Sequence, residues 1–185
     1  MSKFRAFLAI DVDDEIKNQI KIFQDKLKKL DNNLKYVNLD NLHLTLKFFG
    51  DIDVEKEKEI KIAISKIIPN QNSFNLKISS SGVFPNENYI KVLWVGVKEN
   101  VSLIELYKNL DNEFNKLGFK KEKSYSSHLT VARIKKTNKK KEILDILNEF
   151  KNHKFGDIKV NKIILKESKL TSKGSIYTDR EIFEL

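Results

Sequence analysis

The run NLHLTLKFFGDI fills residues 41–52 and SSHLTVARIKK fills residues 126–136, so the frame His-Leu-Thr-apolar occurs twice in a chain that holds three histidines. His43 and His128 stand 85 positions apart, and the same offset separates the strand-like run Phe7-Leu8-Ala9-Ile10 from Val92-Leu93-Trp94-Val95. Two landmarks sharing one offset mark an internal repeat, which changes how every element between them is assigned.

What lies between the landmarks agrees. Ile16, Ile20, Phe23, Leu27 and Leu30 follow the first run at helical spacing, and Leu103, Leu106, Leu110, Phe114 and Leu117 follow the second. Asp13 and Ser102 are candidate N-caps and Gly118 a helix stop. Beyond the histidines, VEKEKEIKIAISKII and KKKEILDILNEF read as second helices, leading into FNLKISSSGVF and IKVNKIILKESKL as interrupted strands. Gly50-Asp51, Pro69-Asn70, Phe84-Pro85-Asn86 and Thr137-Asn138 carry turn chemistry. Each half is then a strand-helix-strand-helix-strand unit of about 85 residues. The fold class expected is α+β, a bilobal pseudo-twofold duplication with two antiparallel-type sheets facing a central cleft and helices outside. Residues 1–185 form one bilobal domain, with repeats of approximately 1–85 and 86–185 joined through PNEN, residues 85–88.

Side chains alternate faces along a strand, so His43 and Thr45 point one way and Leu44 and Leu46 the other, as do His128 and Thr130 against Leu129 and Val131. A twofold relation brings both pairs to one cleft. Two imidazoles near neutrality supply a general base and a general acid together. Displacement at phosphorus uses such a pair, with threonine hydroxyls as donors to the non-bridging oxygens. Arg133 follows Thr130 by three, and its planar, permanently charged fork suits phosphate better than lysine does. A lone HxT in a strand is ordinarily structural; two copies in register within a repeat point to catalysis. No carboxylate sits at ligand spacing from either histidine, which argues against zinc. No Gly-rich phosphate loop occurs. His153 falls outside the frame and is assigned to a surface loop.

Composition bounds these readings. With 40% apolar residues in 185, the chain can bury a core. No stretch approaches the roughly 18–20 apolar residues of a membrane span, and the opening MSKFRAFLAIDVDDE has too short an apolar run for a secretory signal. A soluble cytoplasmic protein is expected. The absence of cysteine removes disulfides and thiolate chemistry. The net charge of +9 favours a polyanionic partner. Arg5, Arg133 and Arg180 are its arginines and the rest of the basic residues are lysines amid abundant Asn and Ile, which biased codon usage also produces. The basic run from Arg133 to Lys141 is a candidate edge for that partner; the alternative is a solvated loop.

The two motif segments, with the opening FRAFLAID, the middle VLWVGV and the closing LKESKLTSKGSIYTDREIFEL, resemble the RNA 2′,3′-cyclic phosphodiesterases, or 2′-5′ RNA ligases, of the two-histidine (2H) phosphoesterase superfamily. The resemblance covers essentially the whole chain. It implies metal-independent, cofactor-free opening of an RNA-terminal 2′,3′-cyclic phosphate to a 2′-phosphate, with a weak reverse joining that makes 2′-5′ linkages between tRNA halves. It places catalysis on His43 and His128 and phosphate binding on Thr45, Thr130 and Arg133; of the two role assignments that near symmetry leaves open, the one adopted is His128 as base and His43 as acid. Tyr36, Phe48 and Phe84 are candidate walls of a nucleotide pocket. The expected partner is RNA with a cyclic phosphate terminus; no membrane is involved and the chain is expected to be monomeric. Members commonly have proline immediately before the second histidine; Ser127 stands there in this chain, and a looser approach to that strand is expected. Two alternatives are a superfamily relative acting on 2′-5′ oligoadenylates or cyclic ADP-ribose derivatives, and a non-catalytic RNA-binding module.

Overall fold

The structure, a computed structural model, describes residues 2–30, 33–122, 125–172 and 174–185. The chain runs β1 (Phe4–Asp11), α1 (Asp14–Lys28), β2 (Leu34–Tyr36), β3 (His43–Ile52), α2 (Val54–Ile67), β4 (Phe74–Asn86), β5 (Tyr89–Lys98), α3 (Val101–Lys116), β6 (His128–Ile134), α4 (Lys140–Phe150), β7 (Lys154–Val160), β8 (Lys162–Thr171) and β9 (Gly174–Glu184). Among the described residues no helix is long and apolar enough to cross a membrane.

The strands form two four-stranded antiparallel groups, β9-β8-β1-β3 and β6-β5-β4-β7. They meet between β3 and β6, where the single pair Leu44↔Leu129 joins them into one curled sheet, with β2 added to the far end of β6. The seam is narrow but dry, since Leu44 is 1% and Leu129 0% exposed. Truncating either to alanine removes apolar contact where little backbone pairing compensates, at about 2–5 kcal/mol.

The repeat in sequence and the lobes in space do not coincide. β4 closes the first repeat yet pairs with β5 and β7 of the second, while β8, its counterpart, pairs with β1 of the first. The segment 85–88, expected as the joint between halves, instead closes the β4–β5 hairpin inside one lobe: Pro85 and Asn86 end β4, opposite Ile90 and Tyr89, and residues 87–88 are the turn. The helices also pair across the repeat, α1 with α4 and α2 with α3. Phe23 of α1 lies 4.7 Å from Phe150 of α4, ring centre to ring centre. Exchange of the last strand makes each lobe depend on both halves, so the two do not fold as separate units.

The apolar helical positions bury as their spacing requires: Ile16, Ile20, Phe23, Leu27, Leu103, Leu106, Leu110 and Phe114 are all at most 1% exposed. Asp13 caps α1 through Ile16 N at 3.1 Å. α3 is capped by Asn100, whose side chain accepts from Leu103 N at 2.9 Å, so Ser102 lies in the first turn and not at the cap. Gly118 follows α3 at φ +89°, a left-handed stop that any side chain would strain. Gly50-Asp51 is not a turn: both residues stay in β3, where Gly50 at φ +74° follows a bulge opposite Ala6 and Phe7. His153 does lie in the loop between α4 and β7, but half-buried rather than free at the surface. Its ring is packed edge-on against Phe150 and Phe155, with Nε2 buried.

Candidate active site

The HxT frames begin β3 and β6, and their burial alternates as a half-covered strand should. His43, Thr45, His128 and Thr130 are partly exposed, whereas Leu44, Leu46, Leu129 and Val131 are buried. Extending the Leu44↔Leu129 register by one residue each way sets His43 beside Thr130 and Thr45 beside His128. All four side chains lie on the face of the sheet opposite the buried leucines. They line one cleft of about 640 Å³, together with Arg133, Tyr36, Phe48 and Phe84. Every residue that the sequence nominated is therefore brought to the same cavity.

The two imidazoles are held alike. His43 Nδ1 lies 2.7 Å from the Asn41 carbonyl and His128 Nδ1 2.7 Å from the Ser126 carbonyl. A carbonyl only accepts, so Nδ1 carries the proton in each ring and Nε2 is the nitrogen left to act as base when neutral or acid when charged. Aromatic rings fix the imidazole planes. His43 packs on Phe7 at 4.8 Å and edge-on to Tyr177 at 5.3 Å, and His128 packs edge-on to Phe84 at 4.9 Å. Phe84 thus wedges a catalytic candidate as well as lining the cleft.

Burial pulls both histidines below the usual imidazole pKa. For His43 this desolvation outweighs the hydrogen bond to Asn41 and the field of Asp11, with Lys166 and Arg133 adding to the depression. For His128 it outweighs the bond to Ser126, and the Arg133 charge acts in the same direction. Asp11 pairs in register with His43 and shares the buried Lys166 ammonium with Asp179, at 2.9 and 2.6 Å.

The approach to His128 is firmer than the missing proline suggested. Ser127 is buried, its hydroxyl donates to Glu99 Oε1 at 2.5 Å, and its carbonyl accepts from Val97 N at 3.1 Å. Tyr125 stacks on Tyr107 at 3.9 Å, and its hydroxyl donates to the Thr45 carbonyl at 3.2 Å. Serine thus replaces proline's fixed backbone with a hydrogen-bonded one, and Tyr125 ties the second frame to the first. On the other side, the buried Gln24 amide of α1 donates to the carbonyls of Val37 and Val131, anchoring β2 against β6 where Arg133 emerges.

Some cleft residues had no signal in the sequence. Asn41 and Ser126 act through backbone carbonyls, to which side-chain patterns are blind. Tyr177, Ser175 and Arg5 reach the cleft through strand pairing more than a hundred residues distant, which a linear reading does not supply. Phe7 could have been found from the offset of 85, since it occupies the place of Val92 and both line the cleft. Among the described residues, no cluster of three or more His, Asp or Glu side chains has metal-binding geometry.

A duplicated strand pair that presents two oriented imidazoles, two hydroxyls and an arginine to one cleft defines a two-histidine phosphoesterase site, and the sequence comparison agrees. The profile described as LigT like Phosphoesterase matches residues 10–94 and again residues 95–177, and the chain belongs to that family. The RNA 2′,3′-cyclic phosphodiesterase of Methanothermobacter thermautotrophicus is 40% identical over 99% of this chain and 100% of its own length. That of Methanocaldococcus jannaschii is 41% identical over 94% of this chain and 96% of its own. Among solved structures, Escherichia coli LigT complexed with 3′-AMP superposes with a TM-score of 0.79 at 25% identity, covering 99% of this chain and 98% of that one.

Proposed function

We propose that this protein hydrolyses the terminal 2′,3′-cyclic phosphate of RNA to a 2′-phosphate without a metal ion, and that the same site runs the reverse joining to a 2′-5′ linkage. The observation that carries the reading is the matched pair of imidazoles, each with Nδ1 tied to a backbone carbonyl and Nε2 left for the cleft. In the hydrolytic direction neutral His128 removes a proton from water as its oxygen attacks phosphorus. The bond from phosphorus to the 3′ oxygen breaks, and protonated His43 delivers its Nε2 proton to that oxygen. The rings finish with their protonation states exchanged, and solvent resets them. Thr45 and Thr130 donate to the non-bridging oxygens, and Arg133 supplies the counter-charge.

Asymmetry between the rings supports His43 as the acid. It has the Asp11 carboxylate beside it to favour the imidazolium, an influence that His128 lacks, while Arg133 disfavours the charge on both rings. The relatives named as RNA 2′,3′-cyclic phosphodiesterases, and the 3′-AMP held by the Escherichia coli protein, support an RNA-terminal nucleotide as the group that enters the cleft.

The test is incubation of the purified protein, in excess chelator, with an RNA ending in a 2′,3′-cyclic phosphate, followed by identification of the hydroxyl that keeps the phosphate. A 2′-phosphate product with undiminished rate is expected. A 3′-phosphate product, or a rate restored only by added divalent metal, overturns the scheme. Turnover confined to 2′-5′ oligoadenylates or cyclic ADP-ribose derivatives would keep the chemistry and move the substrate.

A further inference from the structure

We infer that the basic edge leaving the cleft at Arg133 is the track for the RNA strand immediately 5′ of the cyclic phosphate; this rests on the proposed substrate. β2 pairs with the end of β6 so that Lys35 is the cross-strand partner of Arg133. Both are exposed and both line the mouth of the cleft. Beyond them the chain continues Ile134-Lys135-Lys136, with Ile134 buried and both lysines exposed. From Arg133 to Lys141 six of nine residues are basic and none is acidic.

Pairing and position distinguish this edge from the rest of the positive surface. Many helical lysines have a carboxylate one turn away, as in Lys17 with Asp14, Lys21 with Asp25, and Lys58 with Glu55. Among the described residues Lys35, Arg133, Lys135 and Lys136 have no carboxylate within salt-bridge distance. Lysines elsewhere are also unpaired, but Lys35 and Arg133 line the cavity that holds the histidines, and Lys135 and Lys136 follow Arg133 directly in the chain. The opposite end of the cleft differs. It is walled by Leu170, Ser175 and Tyr177, and its one lining cation, Arg5, has Asp51 as cross-strand neighbour. Arg5 also has no carboxylate within salt-bridge distance among the described residues, so the ends differ in the amount of free charge: Arg5 alone lines one, and Lys35 and Arg133 line the other with Lys135 and Lys136 following in the chain.

Free charge stops at Lys136, because the loop beyond is tied down and the Lys139 ammonium pairs with Glu142 at 3.5 Å. The Thr137 hydroxyl accepts from Lys139 N at 3.0 Å, and the Lys140 ammonium reaches the Asn88 carbonyl. A solvated loop requires neither the register with β2 nor the run of unpaired charge out of the cleft.

The experiment compares wild type with the Lys135→Ala/Lys136→Ala variant on two substrates, a 2′,3′-cyclic mononucleotide and a single-stranded RNA of about ten nucleotides with the same terminus, the length that one compact site spans. Binding of the labelled oligonucleotide is followed in parallel by fluorescence anisotropy across a salt series. The variant should turn over the mononucleotide at the wild-type rate and bind the oligonucleotide with a shallower salt dependence. Two single-strand phosphate contacts at about 0.7 each flatten the slope by about 1.4, so a fourfold rise in salt should weaken the wild type about sevenfold more than the variant. Equal salt slopes overturn the track while leaving the cyclic-phosphate reading intact. An equal loss on both substrates also overturns it, because the lysines would then support the cleft itself. Failure of the wild type to open either substrate sinks the proposed reaction, and the anisotropy slopes still decide the track. Binding to phosphatidylserine vesicles that depends on the two lysines, without RNA binding, would assign the edge to a membrane surface and overturn it.

Discussion

β3 and β6 start from the same four-residue frame and then diverge. Beyond the buried apolar residue, β3 continues Lys47-Phe48-Phe49 and β6 continues Ala132-Arg133-Ile134 at equivalent places. Ala132 is fully buried and apolar, whereas Lys47 is a buried cation paired with Asp111 at 2.7 Å and with the Lys120 carbonyl at 2.6 Å. Phe48 presents an exposed ring to the cleft where its counterpart Arg133 presents a permanent charge. The duplication supplies two interchangeable imidazoles, and the residues just after them break the equivalence. One side of the cleft becomes cationic and the other aromatic, an asymmetry that suits the proposed substrate, with a phosphate at one point and a base at another.

The largest expected effects come from removing the symmetric part. His43→Ala and His128→Ala should each lower kcat by about 10²- to 10⁴-fold, the worth of one positioned proton transfer, and the double variant should be little worse than the poorer single one. If either single variant kept near-normal turnover, the two frames would not be partners in one reaction. The pH dependence sharpens the comparison. The proposed reaction requires one ring protonated and one neutral, and burial lowers both pKa values. The protonated fraction is therefore lost as pH rises through values below the usual 6.5 or so, and the bell in kcat/KM should peak on the acid side of that point. Removing the carboxylate in Asp11→Asn takes away an influence that raises the His43 pKa, so the bell should move further to acid. A shift to alkali would contradict the arrangement seen here.

The next effect falls on stability and belongs to β3 alone. Lys47→Ala leaves the Asp111 carboxylate buried without its partner, and breaking a buried pair in this way costs about 3 kcal/mol. Thermal or urea unfolding should show that loss. Ala132, in the matching place, carries no such dependence. Arg133→Ala should do the converse: unfolding stays as in the wild type because the side chain is exposed, and KM rises about 10- to 100-fold through loss of charged hydrogen bonds to phosphate. A destabilised Arg133→Ala protein would make the arginine a structural residue.

How much of this was legible in the sequence follows from which interactions are periodic. The offset of 85, the helical spacing of Ile16 to Leu27 and the alternation around His43 and His128 are local patterns, and each produced the element it predicted. The exchange of β4 and β8 between lobes was not legible, because pairing partners are chosen by the whole sheet and leave no mark at Phe74 or Lys162. Gly50-Asp51 misled because a glycine at positive φ serves a bulge inside a strand as well as a turn. Ser127 misled because its firmness depends on Glu99, a residue on the other side of α3. The candidate site was legible almost entirely, since its histidines and threonines lie within the repeated frame and its arginine two residues beyond the second copy, and what was missed reaches the cleft through backbone carbonyls or distant strands.

The smallest expected effect tests whether the aromatic half of the comparison is functional. Phe48 is 59% exposed and touches the Phe7 ring at 5.9 Å, so its truncation costs little packing and Phe48→Ala should unfold like the wild type. Phe49, its neighbour, is buried and meets Phe114 and Phe119 edge-on, so Phe49→Ala instead costs about 3 kcal/mol or more through a cavity in the core. If Phe48 stacks on the terminal base, its loss should raise KM for cyclic mononucleotides by about fivefold, near the lower end of base-to-aromatic stacking, with kcat unchanged. The effect should be larger for purines than for pyrimidines, because a larger ring system has more face to lose. An unaltered KM for both would leave Phe48 as an exposed apolar residue with no part in binding, and the difference between the two frames would then reduce to the charge of Arg133.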